Sequence, residues 1–457
     1  MTVMNDQSKL NTEFIGDSCL SWLFGEGISQ TISDQVITAY RHIKSKRMSK
    51  ILDLVPSYNA LSVHFDLLTT NTTDLIEKID GLIEESFELS FNHPTTTHHM
   101  PVVYDGEDLK TLADGKGLST AEVVTLHQQQ KYSVAMIGFK PHFNYLLGLN
   151  PQLETPRLKS PRARVAAGAV GIGGLQTGVY PEQSPGGWNL IGRTQPERLK
   201  VVNVGDTVVF EAVEHLPTLL LNCDIGERGT DNKTDIAIMK HLFMANIACG
   251  GHAGDHESIR FFRSLAREHK VQVSAHLSYP DRDNFGRVSL SMSESELHQA
   301  LNQQMSLMTD VCWVKFHGAL YNNACEQKDL ALSLVNWCVE KNITHVVTQE
   351  GSELAVASRA QGVTVVNEFF AERRYTLNDQ NRLALVPRSK TYAILVTIDE
   401  CREHIKRFID EQIVEVVIGE SSSGELMIET YPTEATTVCV HSDSPIALEL
   451  IERLATL

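Results

Sequence analysis

In the second half of this 457-residue sequence, acids, imidazoles and guanidinium groups recur at one kind of place, at or just beyond the end of a short apolar run. TLLLNC leads into Asp224 and Glu227, and NIAC leads into His252, Asp255 and His256. VQVSA leads into His276, Asp281, Arg282 and Arg287, and WVKF carries Lys315 and ends at His317. HVVTQ is followed by Glu350. TVVNEF carries Glu368 and continues to Glu372, Arg373 and Arg374, and TTVCVH ends at His441 with Asp443 beyond it. Carboxylates and imidazoles move protons, an ammonium group polarises a carbonyl, and arginines clamp anions bidentately. The catalytic candidates are therefore Asp224, Glu227, His252, His276, Lys315 and His317. The substrate-binding candidates are Asp255, Asp281, Arg282, Arg287, Glu372, Arg373, Arg388 (in LVPR) and His441. Asp224, His252 and His276 also offer one carboxylate and two imidazoles, a set that can hold a divalent metal and acidify its bound water. The same residues serve acid–base chemistry without one. No Ser or Cys stands in a nucleophile elbow, so a covalent acyl-enzyme is not indicated.

Elements of alternating type must position these groups. Helical stretches such as ESIRFFRSLAREH, SESELHQALNQQMSLM and KDLALSLVNWCVEK separate the apolar runs. In the second of these, Leu297, Leu301, Met305 and Met308 recur at helical spacing, and Ser293 with Glu296 fits a capping box. Seven such βα repeats over 217–457 predict a parallel, TIM-like barrel, in which active sites sit at the C-terminal ends of the strands. Any one of these residues can be a helix cap or a satisfied core group. Seven strands with the same placement define an enzyme site.

The first half has a different pattern. Residues 1–95 read as a small α/β unit, from CLSWLF and ALSVHF as strands and SDQVITAYRHIKS and TTDLIEKIDGLIEES as helices. HPTTTHH, residues 93–99, lacks periodicity and reads as a linker. Residues 96–213 alternate short β-branched runs with Gly and Pro, which predicts a closed β unit. Its AAGAVGIGGLQTG segment is glycine-rich, and Arg157, Arg162, Gly174 and Gly178 are candidates for phosphate contacts, with β-turns and a solvated loop as the plainer explanations. No P-loop motif is present. A formal net charge of −17 argues against a nucleic-acid ligand. No apolar run approaches the roughly 18 residues of a membrane span. The start, MTVMNDQSKLNTEF, does not read as a secretory signal, and the eight cysteines contain no CxxC pair. The expectation is a cytoplasmic, disulfide-free protein.

The ordered motifs LNCDIGE, NIACGGHAGD, AHLSYPDRDNFGR, KFHGALYN, FAERRY, LVPR and CVHSD resemble the A-type subunit of 5-oxoprolinase, the LamB/YcsF family. The barrel of that family is similar to those of glycoside hydrolases and deacetylases. GDSCL, PSYNALSVHFD, MIGFKPHFNYLLGL, SPRARVAAGAVGIGGLQTGVYPEQSPGGWNLIGRT and VGDTVVF resemble the B-type subunit of 5-oxoprolinase, the Kip-inhibitor or allophanate-hydrolase type, whose later portion is a cyclophilin-like β-barrel. The resemblance implies a fusion of these two components that opens 5-oxo-L-proline to L-glutamate with ATP and Mg²⁺, alongside a separate C-type subunit. Alternatives are an ATP-independent lactamase or deacetylase of the barrel half, and a non-enzymatic regulator of a kinase. The chain departs from the family patterns KPHG, FADR, HPS, HGD and CGFHAGD at Phe316, Glu372, Leu277, Ser442 and Gly251. In the B-like half, His142 stands where that family has Gly, and Leu175 interrupts the glycine run.

Overall fold

The computed structural model describes residues 10–89, 95–421 and 424–456, so the first nine residues of the stretch read as carrying no signal lie outside the described part. The chain divides into two compact units, Met1–Leu216 and Pro217–Leu457. Among the described residues, no helix is long and apolar enough to cross a membrane. All eight cysteines are free thiols.

The first unit opens with an antiparallel four-stranded sheet, in the order Asn11–Phe14, Cys19–Leu23, Ala60–Phe65, Ile51–Pro56. Alternate residues Leu20 and Trp22, and Leu61, Val63 and Phe65, face helices Gln30–Ser45 and Thr72–Phe87. Those helices return Val36, Ala39 and Ile43, and Leu75, Ile79, Leu82 and Ile83. Period two meets period 3.6, and each large side chain contributes about 1.5–3 kcal/mol on burial.

A seven-stranded sheet follows. Strand Thr97–Val102 lies parallel to Thr207–Ala212 at one end, and Asn189–Arg193 lies at the other. The ends meet through an antiparallel bridge at Val103 and Arg193, with N–H···O distances of 3.0 and 2.9 Å, so the sheet is a nearly closed barrel. This corrects the linker reading of residues 93–99. Residues 93 and 94 lie outside the described part, but from Thr97 onwards the segment is a strand. His98 pairs with Asp206 at 2.9 Å and His99 with Glu211 at 2.6 Å. Long-range pairing to a strand about 110 residues away overrides weak local propensity.

The glycine run has a packing role here. A Cβ on Gly173 would lie 2.6 Å from Trp188 Nε1, and one on Gly178 would lie 3.1 Å from Trp188 Cζ3, so the glycines make a flat bed for the indole. Gly174, at φ +66°, turns the hairpin, and Leu175 beside it is exposed. His142, where the family has Gly, holds φ +64°. That conformation costs a residue with a side chain about 1–2 kcal/mol.

The second unit is a closed barrel of seven parallel strands: β1 Leu221–Ile225, β2 Met244–Ala248, β3 Gln272–Leu277, β4 Trp313–Phe316, β5 His345–Thr348, β6 Thr364–Phe370 and β7 Thr437–Cys439. β7 closes the ring, pairing through Cys439 to Asn222 of β1 and through Thr437 to Glu368 of β6. Between β6 and β7 the chain makes an excursion absent from the sequence reading. It holds a four-stranded sheet (Tyr375–Leu377, Leu383–Leu385, Ile413–Glu420, Leu426–Pro432) and helix Ile398–Glu411.

Candidate active site

At the C-terminal mouth of the barrel lies a cavity of about 350 Å³. Asp224 and Lys315 line its floor, and the polar layer they share with residues beneath follows from strand alternation. Asn222 and Asp224 are two apart on β1, Asn246 is their neighbour on β2, and Lys315 and Glu368 point inward from β4 and β6. Asn246 Nδ2 donates to Asn222 Oδ1 and Asp224 Oδ1, both at 2.9 Å. The buried Lys315 ammonium lies 2.8 Å from Glu368 Oε2, 3.2 Å from Asp224 Oδ1 and 3.2 Å from Cys439 Sγ. Burial opposes charge on both Lys315 and Asp224, but attraction wins. His276 and Lys315 hold the Asp224 carboxyl well below its usual range, and Asp224, Cys439 and Glu368 hold Lys315 well above its own. The two remain an ion pair.

Beside the floor stands a cluster of imidazoles. His252 Nε2 lies 3.0 Å from Glu227 Oε1, and His317 Nδ1 lies 3.0 Å from His276 Nε2. His252 and His317 stack face to face, with ring centroids 3.7 Å apart and planes 4° apart. Burial lowers the pKa of both rings, against the pull of Glu227 on His252 and reinforced by the neighbouring imidazoles on His317. The loop Asp281–Arg287 crosses this stack at Gly286 (φ +62°), where a Cβ would lie 2.9 Å from His252 Cβ. One donor atom each from Glu227, His252, His276 and His317 falls within 4.8 Å of the others, and Asp224, Cys439 and His441 form a second such group. The metal set read from the sequence is therefore divided. Asp224 meets both the lysine and, through Oδ2 at 3.3 Å, His276 Nε2, while Glu227 stands among all three imidazoles.

The rim is cationic. Arg287, Arg373 and Arg388 line the cavity together with His441 and Asp443. Arg373 is buried and donates from Nη2 to Val386 O at 2.7 Å, while its Nε has no partner among the described residues. Burial and the nearby Arg388 draw its pKa down to about 10. Arg287 reaches Asp443 at 2.9 Å and lies over the Phe285 ring. Arg388 comes from the β6–β7 excursion.

Four sequence candidates take supporting positions instead. Asp255 caps helix His256–Glu268, accepting from Glu257 N and Ser258 N. Asp281 accepts from Asn284 N within its own loop, and Arg282 donates to Gly250 O and Gly254 O. Glu372 Oε1 accepts from His441 N at 2.8 Å and Nδ1 at 2.5 Å, so it orients His441 rather than lining the cavity. In the first unit, Arg162 is bound to Asp108 and Glu107, Arg157 lies over Trp188, and Gly178 packs beneath that indole. The sequence reading missed Asn222, Asn246 and Tyr321. The first two were findable, since they share the inward face of β1 and β2 with Asp224. Tyr321 sits on helix Gly318–Glu326, where an aromatic reads as core, yet it lines the cavity beside Glu368.

A closed parallel barrel with an ion-paired lysine, an imidazole–carboxylate cluster and an arginine rim at its C-terminal mouth defines an α/β-barrel enzyme. Comparison with known proteins gives the lineage. The chain belongs to the LamB/YcsF family, whose model matches residues 219–457, while the model for the carboxyltransferase domain, subdomain C and D, matches residues 10–200. The first half is similar to the B-type subunit of 5-oxoprolinase from Bacillus subtilis (34% identity over 225 residues, 47% of this chain and 89% of that protein). The second is similar to the A-type subunit of 5-oxoprolinase from Halalkalibacterium halodurans (32% over 249 residues, 51% of this chain and 90% of that protein). A solved lactam utilization protein from Thermus thermophilus aligns at 27% identity and a TM-score of 0.44, covering 52% of this chain and 95% of that one.

Proposed function

We propose that this chain is a fused B–A component of a 5-oxoprolinase, opening 5-oxo-L-proline to L-glutamate at the expense of ATP, with Mg²⁺ and a separate C-type subunit. The observation that carries the reading is the cavity itself, which sets a buried Asp–Lys pair opposite a rim of three arginines. A five-membered lactam bearing one carboxylate presents both halves of that pattern: an amide carbonyl to attack and an anion to hold. The names of the relatives of both halves support the same substrate.

A cyclic amide is a poor electrophile, and phosphorylation of its carbonyl oxygen makes attack by water feasible. Arg373 and Arg388 clamp the carboxylate and fix the ring. Asp224, ionised beside Lys315, orients the attacking water, and the Lys315 ammonium faces the oxygen on which charge grows. No nucleotide-contacting residue is assigned on this chain.

The test is glutamate formation by the purified chain with and without a C-type subunit, ATP and Mg²⁺. We expect turnover only when all are present, and its loss in Asp224→Asn. Equal turnover without ATP, or none with every component supplied, refutes the proposal.

A further inference from the structure

The protons of the imidazole cluster can be counted. His276 Nδ1 lies 3.2 Å from Lys315 O, and His317 Nε2 lies 3.0 Å from Phe285 O. A carbonyl oxygen only accepts, so both of these nitrogens carry the ring proton. In neutral rings, the opposite nitrogens, His276 Nε2 and His317 Nδ1, are then bare. Yet they face each other at 3.0 Å, with Glu227 Oε1 3.8 Å from the first and 3.5 Å from the second. Two imidazole nitrogens and the Glu227 oxygen thus surround one buried point, with Asp224 Oδ2 3.3 Å from His276 Nε2. Moving either ring proton inward turns a lone pair against a carbonyl oxygen, so the contact is relieved by added positive charge: a second proton on His276, which Asp224 and Glu227 would face, or a cation at the common point. The two ring planes cross at 87°, which lets both in-plane lone pairs meet between them.

We propose that Glu227, His276 and His317 bind one divalent cation of the zinc or cobalt class, and that His252 is a positioning residue for Glu227. Bonds of about 2.0–2.2 Å place neighbouring donors roughly 3.0–3.5 Å apart, close to the spacing already present. Each imidazole donates its other N–H to a backbone carbonyl, the outer bond that fixes the tautomer of metal-binding histidines. His252 does not join the set. It lies flat on His317, so its in-plane lone pair runs alongside that ring rather than towards the common point, and its Nε2–H donates to Glu227 at 3.0 Å. The three ligands line the cavity and His252 does not. Three protein ligands with open positions towards a cavity is the arrangement of catalytic metal sites, whereas structural ones are closed by four. When bound, such a cation polarises a carbonyl oxygen or acidifies a water. The assignment stands on the geometry of the cluster and is independent of the lactam substrate.

The experiment strips the full chain with a chelator and titrates Zn²⁺ calorimetrically, counting bound metal by mass spectrometry after gel filtration. Co²⁺ is used in parallel for its visible absorption. We expect one equivalent per chain and a cobalt spectrum of low coordination number. Glu227→Gln and His317→Gln should each weaken binding by about 100-fold or more, whereas His252→Asn should keep one equivalent at about 10–100-fold lower affinity. Circular dichroism checks each variant, and if His317→Gln does not fold, the nearly isosteric Glu227→Gln decides. A wild-type chain that takes up well under half an equivalent overturns the proposal. So does a folded Glu227→Gln that binds like wild type, since the metal then sits elsewhere.

Discussion

Lys315 is the most exacting test of the barrel interior, because it is the counter-charge to two buried carboxylates. Its Nζ lies 2.8 Å from Glu368 and 3.2 Å from Asp224, with Cys439 Sγ at 3.2 Å and Asn222 Oδ1 at 3.4 Å. At the surface such pairs contribute about 0–1 kcal/mol, since water replaces either partner. Here the pair is almost wholly buried at the base of the cavity, so water replaces a lost partner poorly. Lys315→Met keeps most of the side-chain volume and leaves Asp224 and Glu368 facing each other across an apolar gap. Removing one member of a buried pair costs about 3–5 kcal/mol, chiefly the desolvation of what remains. Equilibrium unfolding in urea at pH 7.5 should show that loss without a change in m-value. Adding Glu368→Gln removes one of the stranded charges. The double variant should therefore recover about 2–3 kcal/mol relative to the sum of the single ones. A cost below about 1 kcal/mol for Lys315→Met, or strictly additive single variants, would show that these groups do not share the buried contact described here.

Two further predictions follow from other parts of the molecule. Arg373→Met should lower kcat/KM for the lactam by about 10–100-fold, mainly through KM, because a charge-assisted hydrogen bond contributes about 1.5–3 kcal/mol; steady-state kinetics with an unchanged KM would remove Arg373 from the carboxylate clamp. His127 is fully buried, with Tyr104 Oη 2.8 Å from Nδ1 and Thr177 Oγ1 2.9 Å from Nε2, and burial depresses its pKa to about 3. The unfolded chain takes up that proton first, near pH 6.5, so the contribution of neutral His127 is complete above pH 6.5 and is lost as pH falls towards 3. At pH 5 the loss is about 2 kcal/mol, and comparing urea unfolding of wild type and His127→Phe at pH 7.5 and 5 should reveal it as the difference between the two proteins; an equal difference at both pH values would count against it.

Much of this was legible in the sequence because barrel strands advertise themselves twice. Each is a short apolar run, and each ends in the polar groups that the fold gathers at one mouth. What spacing does not reveal is which polar residue of a loop turns inward. Asp255, Asp281 and Arg282 occupy the right loops, but they serve a helix N-terminus and backbone carbonyls, and that choice is made by the loop backbone. Glu227 lies only three residues past Asp224, yet Asp224 meets Lys315 and His276 while Glu227 meets all three imidazoles. The excursion after β6 was hidden for another reason. Two of its strands, Tyr375–Leu377 and Leu383–Leu385, are three residues long, too short for alternation to register, and Arg388 enters the rim from their far side. Thr97–Val102 shows the same limit: a parallel partner distant in sequence decided its state.

At the positions where this sequence departs from the family patterns, the side chains have partners of their own in the structure. Gly251 stands where the family carries Phe, and a Cβ there would lie 2.4 Å from Gln304 Oε1 and 2.3 Å from Ser278 Oγ. Gln304 fills that space and bonds Ser278 through both its N (3.0 Å) and its O (2.9 Å), so a polar brace replaces an aromatic ring at the end of β3. Ser442, in place of Gly, donates to Asp224 O at 2.9 Å and ties the chain after β7 to β1. Glu372, one methylene longer than Asp, spends its reach on His441, whose ring stacks on Phe370 at the cavity wall. Phe316 and Leu277, both fully buried, adjoin His317 and His276 in the chain, and Phe316 also lines the cavity. The groups that face the cavity, Asp224, Glu227, His276, Lys315 and His317, are each held by at least two partners, so replacing any one of them disturbs several contacts at once.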